Sequence, residues 1–298
     1  MSGKNTRRIE TTSSRTAAFT CLSRAASYVD NRECYSGSDD VAYLLVPTFF
    51  RLLLKSRWLF GLFKRRFFPK GIYEYVVART KYFDAAFSEA LEDTVDQIVI
   101  FGAGFDSRAL RFDRLNKGTQ VFELDTLMTQ TEKLKAYHSK GLAIPNCLVF
   151  VPIDFGKDRL EEKTACAGLV ADKKSLFLLE GVTMYLSHEA IESTFRFISG
   201  VSGAGSLIVF DYVHADVMRR EEKRHGERDI YETVATVGEE WVVGLEESEI
   251  GQFLGRYGFR LRDHIGTWEL EDRYFRNSRG LVVGKINGTH AIVTGVKS

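Results

Sequence analysis

The chain has 298 residues, enough for one large domain or two small ones. With 41 basic and 40 acidic residues its formal net charge is +1, which supplies no global field for nucleic acid and excludes a dedicated DNA or RNA binder. A hydrophobic fraction of 44% and a charged fraction of 27% exclude disorder as the main state, and 22 Phe with 12 Tyr can fill a large core without staples.

In chain order, residues 1–13 are polar and read as frayed. Apolar residues then recur at helical spacing through 14–28, with Ser13 or Ser14 as an N-cap. The stretch 41–68 is aromatic, basic and helical in pattern. Arg51, Lys55 and Arg57 interrupt it, so it does not read as a spanning helix. A further helical pattern covers 73–91. Five short apolar runs follow at 97–101, 120–124, 148–153, 175–179 and 206–210, each bounded by Gly, Asp or polar clusters. Helix-length segments such as 127–140 and 188–201 lie between them, the mark of βαβ crossovers and a parallel sheet covered on both faces. A highly charged insert at 214–243 breaks this rhythm. An amphipathic helix is expected at 246–257 and two last strands at 259–265 and 280–285, before a tail from Asn287. The reading is therefore a helical cap (1–91), an α/β core (92–286) with its insert, and a tail (287–298). Cys21, Cys34, Cys147 and Cys166 form no Cys-x-x-Cys pair and the first residues lack an apolar leader core, which points to reduced thiols and a cytoplasmic location. No metal site is expected.

The strongest local feature is a strand running into Gly102-Ala103-Gly104. Glycines there permit a tight turn and a close ligand approach. A dinucleotide fold would place Gly or Ala at position 107, where this chain has Ser107. A nucleoside sulfonium without phosphate needs only the short turn, and an ordinary structural turn also fits. Asp125 ends the second strand, 21 residues past Gly104, where a carboxylate can accept ribose hydroxyls or simply close a turn. Asp154 and Phe155 end the third strand, positioned for an adenine amine and ring, and Glu180 ends the fourth. Three strands ending in carboxylates suit the cation S-adenosyl-L-methionine better than the pyrophosphate of NAD.

These motifs, with Ser14-Arg15-Thr16-Ala17, Ala78-Arg79-Thr80-Lys81-Tyr82-Phe83-Asp84 and Glu180-Gly181-Val182-Thr183-Met184-Tyr185-Leu186, resemble the leucine carboxyl methyltransferase family over about residues 14–284. The resemblance implies a Rossmann-like class I methyltransferase fold, with seven strands, mostly parallel, and the last antiparallel. It implies an S-adenosyl-L-methionine-dependent O-methyltransferase that releases S-adenosyl-L-homocysteine. It places Arg79 on the cofactor carboxylate, Gly102 and Gly104 along the methionine part, Asp125 on the ribose, Asp154 and Phe155 on the adenine, and Glu180 at the methionine amino group. Arg15 belongs to a matching segment as a binding or a structural arginine. Lys81 reads as assisting Arg79 or, preferred, as solvated.

The expected acceptor is a small molecule or a peptide C-terminus, methylated on a carboxylate or hydroxyl oxygen. The insert at 214–243 would form a lid and the N-terminal helices the opposite wall. Tyr185 is the candidate to line the pocket, with core packing as its alternative role. A hydroxyl acceptor needs a base, and His188, His214 and His225 lie near the strand ends without a feature that selects one. Two rivals stand beside this reading: an NAD oxidoreductase, and a non-catalytic binder at a membrane surface. The second draws on the seven bases and no acids of residues 51–70, against the preferred reading of a packed aromatic helix with solvated bases. The sequence leaves the oligomeric state open.

Overall fold

A computed structural model describes residues 15–155, 157–237 and 240–298. The segment 1–13 and the cap candidates Ser13 and Ser14 lie outside these residues. Five helices come first: α1 (Arg15–Val29), α2 (Asp40–Leu45), α3 (Thr48–Leu54), α4 (Arg57–Phe67) and α5 (Ile72–Glu92). The expected single helical stretch at 41–68 is thus three short helices. Pro47, lacking an N–H, stands at the start of α3, and the Ser56 side chain accepts from the Leu59 amide to start α4 anew. Gly71 precedes α5 with φ 74°, and a Cβ there would lie 2.3 Å from the Asn287 nitrogen, so only glycine lets the two chain segments cross.

The core then alternates β1 (Gln97–Phe101), α6 (Arg108–Arg111), β2 (Gln120–Asp125), α7 (Leu127–Ser139), β3 (Leu148–Pro152), α8 (Leu160–Cys166), β4 (Ser175–Leu179), α9 (His188–Val201) and β5 (Leu207–Val213). The insert carries α10 (Ala215–Met218) and α11 (Glu227–Val237). The chain ends with α12 (Ile250–Gly255), β6 (Phe259–Ile265), α13 (Thr267–Phe275) and β7 (His290–Lys297). The strands form one sheet in the order β3-β2-β1-β4-β5-β7-β6. Pairs among β1 to β5 are parallel, and β7 runs antiparallel to both β5 and β6.

Alternation along the strands divides the core in two. Ile98, Ile100, Leu176, Leu178 and Val209 face the layer built on α1 and α5. Val99, Phe101, Phe177, Leu179 and Phe210 face α9 and α12, where Phe195, Ile198, Phe253 and Leu254 meet them. The central strands β1 and β4 are buried on both faces, which is why each reads as a continuous apolar run.

Two expectations are corrected. The run at 280–285 is no strand of the sheet: Leu281, Val282 and Val283 are exposed, with one isolated bridge between Arg276 and Val282. The last strand lies within the expected tail, at His290–Lys297, because its Ala291, Ile292 and Val293 insert between β5 and β6. The helix expected at 246–257 shortens to α12 after a single 3₁₀ turn at Glu247–Glu249. Among the described residues no helix is long and apolar enough to cross a membrane.

Candidate functional site

Parallel register decides what gathers at the sheet's carboxyl edge. Phe101 aligns with Leu124 and with Leu179, and Leu179 aligns with Phe210. The next residues in each strand, Gly102, Asp125, Glu180 and Asp211, therefore stand side by side. This is the edge at which open α/β sheets bind ligands.

Gly102 and Gly104 have φ of 56° and 49°, a region that side-chain-bearing residues rarely adopt. The Gly104 amide donates to Asp125 Oδ2 and the Thr126 amide to Oδ1, both at 2.6 Å. The Gly-x-Gly turn and the second strand's acid are thus one unit, with lone pairs left for further donors. Burial pushes the Asp125 carboxyl up, against the pull of those two amides. Asp154 follows β3 next to this unit, since the Ile153 amide donates to the Asp125 carbonyl. Its carboxylate lies nearer the surface, 3.1 Å from Lys157 Nζ. The Phe155 ring packs 6.2 Å from that of Phe101.

Glu180 sits between two arginines: Oε1 is 3.0 Å from Arg79 Nε and Oε2 is 2.7 Å from Arg108 Nη2. Arg79 also donates through Nη1 to Asp211 at 2.8 Å. Asp211 is wholly buried and accepts from the Tyr75 hydroxyl at 2.8 Å and the Gly181 amide at 2.6 Å. Arg108 continues the network to Asp84 and Asp106. Burial alone would raise the Asp106 carboxyl, but Arg108, Lys133 and Arg24 together hold it down at about 2.

The sequence motifs included Arg108 but gave no reason to assign it a role. Asp211 was missed although its signal was present: it directly follows the expected run at 206–210, as the other acids follow theirs, while β5 itself continues to Val213. Lys81 is not solvated. It is half-buried, donates to the Cys34 carbonyl at 2.6 Å, and has its amine pushed down by burial. Two positions along α5 from Arg79, it faces a different side and cannot assist it.

Beside Arg79 and Gly181 lies an apolar cavity of about 120 Å³. The insert contributes Ile230, Val234 and Trp241 to its lining, and α1 contributes Phe19, with Arg15 also on the wall. Tyr185 lines it, as does His290 from β7. The expected lid and opposite wall therefore meet around one space. The exposed His188 and half-buried His225 do not line it, and neither does the buried His214. His290 does, its ring stacked on Tyr75 at 4.6 Å and kept neutral by burial, with Arg79 adding to that effect. A larger cavity of about 370 Å³ is lined by Arg24, Asp39, Thr80 and Lys81, with none of Gly102, Asp125, Glu180 or Asp211 on its wall.

A sheet of order 3-2-1-4-5-7-6 with β7 reversed, and a Gly-x-Gly turn locked to an acid on the second strand, define the class I methyltransferase fold. A DUF574 family protein from Streptomyces avermitilis shares it, with a TM-score of 0.59 at 13% identity over 98% of this chain and 100% of that one. The chain belongs to the leucine carboxyl methyltransferase family, whose profile matches residues 38–199, more than half its length. It is 29% identical over 203 residues to a candidate S-adenosyl-L-methionine-dependent methyltransferase of Bacillus subtilis, covering 68% of this chain and just under two thirds, 66%, of that protein. A Frankia alni protein of the same description is 28% identical over 226 residues, 75% of this chain and 74% of the relative.

Proposed function

We propose that the protein is an S-adenosyl-L-methionine-dependent O-methyltransferase acting on a carboxylate or hydroxyl oxygen of a small, largely apolar acceptor. The observation that carries this reading is the adjacency of two unlike spaces. An acid-rich strand edge with a Gly-x-Gly turn adjoins an apolar cavity, and Arg79 and Gly181 stand at the junction. The donor set fits the cofactor: Asp125 would take ribose hydroxyls, Asp154 and Phe155 the adenine, and Glu180 the methionine amino group. Arg79 would meet the cofactor carboxylate as a planar fork. When bound, the cofactor supplies a methyl group already activated on a sulfonium.

The chain's own contribution is alignment and exclusion of water. Trp241, Ile230 and Val234 from the insert and Phe19 from α1 cover the acceptor space, desolvating the attacking oxygen. A carboxylate acceptor is ionised near neutral pH and needs no base. A phenol or alcohol would meet neutral His290 on the cavity wall as a hydrogen-bond acceptor, with burial and Arg79 keeping that ring a weak base. Ser107, where a dinucleotide-binding turn would place Gly or Ala, weighs against an NAD oxidoreductase. Four cysteines without disulfides agree with a cytoplasmic location.

Calorimetric titration with S-adenosyl-L-methionine tests the reading. The wild type is expected to bind and Asp125→Ala to lose most of that affinity. No binding to the wild type, or equal binding by the variant, overturns it. Methyl transfer from labelled cofactor to acids and phenols then separates the two acceptor classes.

A further inference from the structure

The helix α4 runs for eleven residues without one buried side chain. Its inner face carries Phe60, Phe63 and Lys64, which touch the α1–α5 layer. Its outer face is also apolar: Trp58 is 74% exposed and Leu62, one turn on, is 56% exposed. The preceding helix α3 continues the surface, with Phe49 at 69% and Leu52 at 60% exposure. Rings join the two helices, Phe49 to Phe50, Phe50 to Phe63 and Phe63 to Phe67, so these side chains form one patch. Exposed apolar patches on this scale mark surfaces that meet something.

Charge says what it meets. Residues 51–70 contain seven bases and no acid. Lys64 pairs with Glu74 and Lys70 with Asp229. The other five, Arg51, Lys55, Arg57, Arg65 and Arg66, have no carboxylate partner among the described residues. Exposed Trp and Leu flanked by Arg and Lys without carboxylate partners on a short helix is the chemistry of an anionic bilayer interface. A protein partner would need an acidic rim around an apolar centre, and no acid on this surface would set its register. Among the described residues no helix is long and apolar enough to cross a bilayer, so the contact made by α3 and α4 would be peripheral.

We propose that α3 and α4 form a docking surface for an anionic lipid bilayer. The surface adjoins the mouth of the apolar cavity: Pro69 and Ile72, which follow α4, line that cavity, and Phe19 on its wall lies 4.4 Å ring to ring from Phe68. Insofar as the cavity is the acceptor site, a reading this step alone depends on, the acceptor is an amphiphile drawn from the bilayer.

The test is sedimentation of the full chain with phosphatidylglycerol/phosphatidylcholine vesicles and with pure phosphatidylcholine vesicles, across a salt series. The chain is expected to sediment with the anionic vesicles only, with loss at high salt and a blue shift of Trp58 emission. Reversal of two charges in Arg65→Glu/Arg66→Glu is expected to weaken binding about tenfold or more. Trp58→Ser/Leu62→Ser, at exposed positions that leave the fold intact by circular dichroism, is expected to do the same. Failure to sediment with anionic vesicles overturns the proposal, as does unchanged binding by both variants. So does a concentration-dependent dimer that these substitutions dissolve, since the surface would then serve a second copy of the chain. Cofactor calorimetry on the same variants is expected to match the wild type, which keeps failure of this proposal separate from failure of the methyltransferase reading.

Discussion

Asp211 is the residue on which the strand-end network turns. It accepts from Arg79, Tyr75 and the Gly181 amide while wholly shut off from solvent. The Arg79 guanidinium is desolvated as well, yet Asp211 and Glu180 together hold its proton more tightly than in water. Removing one partner of such a pair leaves a buried charge uncompensated, at a cost of about 3–5 kcal/mol. Asp211→Ala is therefore expected to lower the unfolding free energy in urea by that order, with an earlier midpoint and an unchanged slope. Asp211→Asn keeps one acceptor oxygen, enough for the Gly181 amide or for the Tyr75 hydroxyl but not for both, and is expected to lose less. Equal stability of Asp211→Ala and wild type would mean that Arg79 is held by Glu180 alone. Gly102 is constrained for a different reason: an added Cβ would meet Val182 Cγ2 at 2.7 Å in a left-handed backbone, so Gly102→Ala disturbs the turn even before a ligand arrives.

Among the elements, what was legible followed how each one is buried. The strands β1 and β4 coincide with their apolar runs because strands packed on both faces write contiguous signals, and the edge strand β6 lies at its expected bounds although Arg260, Arg262, Asp263 and His264 interrupt it. The acids Asp125, Asp154 and Glu180 were legible because each directly follows one of the short runs at 120–124, 148–153 and 175–179. The position of β7 was not. Residues 280–285 and 290–297 both carry short β-branched runs, and local pattern cannot decide between them. Pairing does: β7 fits between β5 and β6, where Gly295 leaves room for Ile208 and Leu254, with a built Cβ only 3.0 Å and 3.1 Å from them. The cavity was partly legible, since its walls come from segments flagged by composition, but His290 entered it on the strand that the pattern misplaced. Truncation after Gly288 is accordingly expected to abolish cooperative unfolding, because it parts β5 from β6 rather than trimming a tail. A thermal melt monitored by circular dichroism checks this, and a sharp transition in the truncated chain would show that β6 can close the sheet by itself.

For the molecule as a whole, the net charge of +1 is an average over unlike parts: a basic aromatic surface on α3 and α4, and a core in which charges are paired or neutralised by burial. That core makes stability depend on pH through groups of opposite sign. Burial lowers the His214 imidazole to about 4, with Arg224 nearby adding to the effect. The unfolded chain takes up this proton near pH 6.5 and the folded chain does not. The contribution is thus complete above pH 6.5 and is lost as pH falls through about 4. The slope reaches about 1.4 kcal/mol per pH unit for one such group. His290, also lowered, acts in the same sense. Glu123 opposes them: burial raises its carboxyl to about 7 against the pull of Lys133, so its contribution is complete below pH 4.5 and is lost as pH rises through about 7. Between pH 4.5 and 6.5 the terms partly cancel, and the wild type is expected to show a shallow dependence there. Urea unfolding across that range separates them. Glu123→Gln should steepen the loss of stability on acidification, and His214→Gln should flatten it by one proton. An unchanged slope in His214→Gln would mean that His214 is already protonated in the folded chain, held by Glu247 3.6 Å away rather than neutralised by its burial.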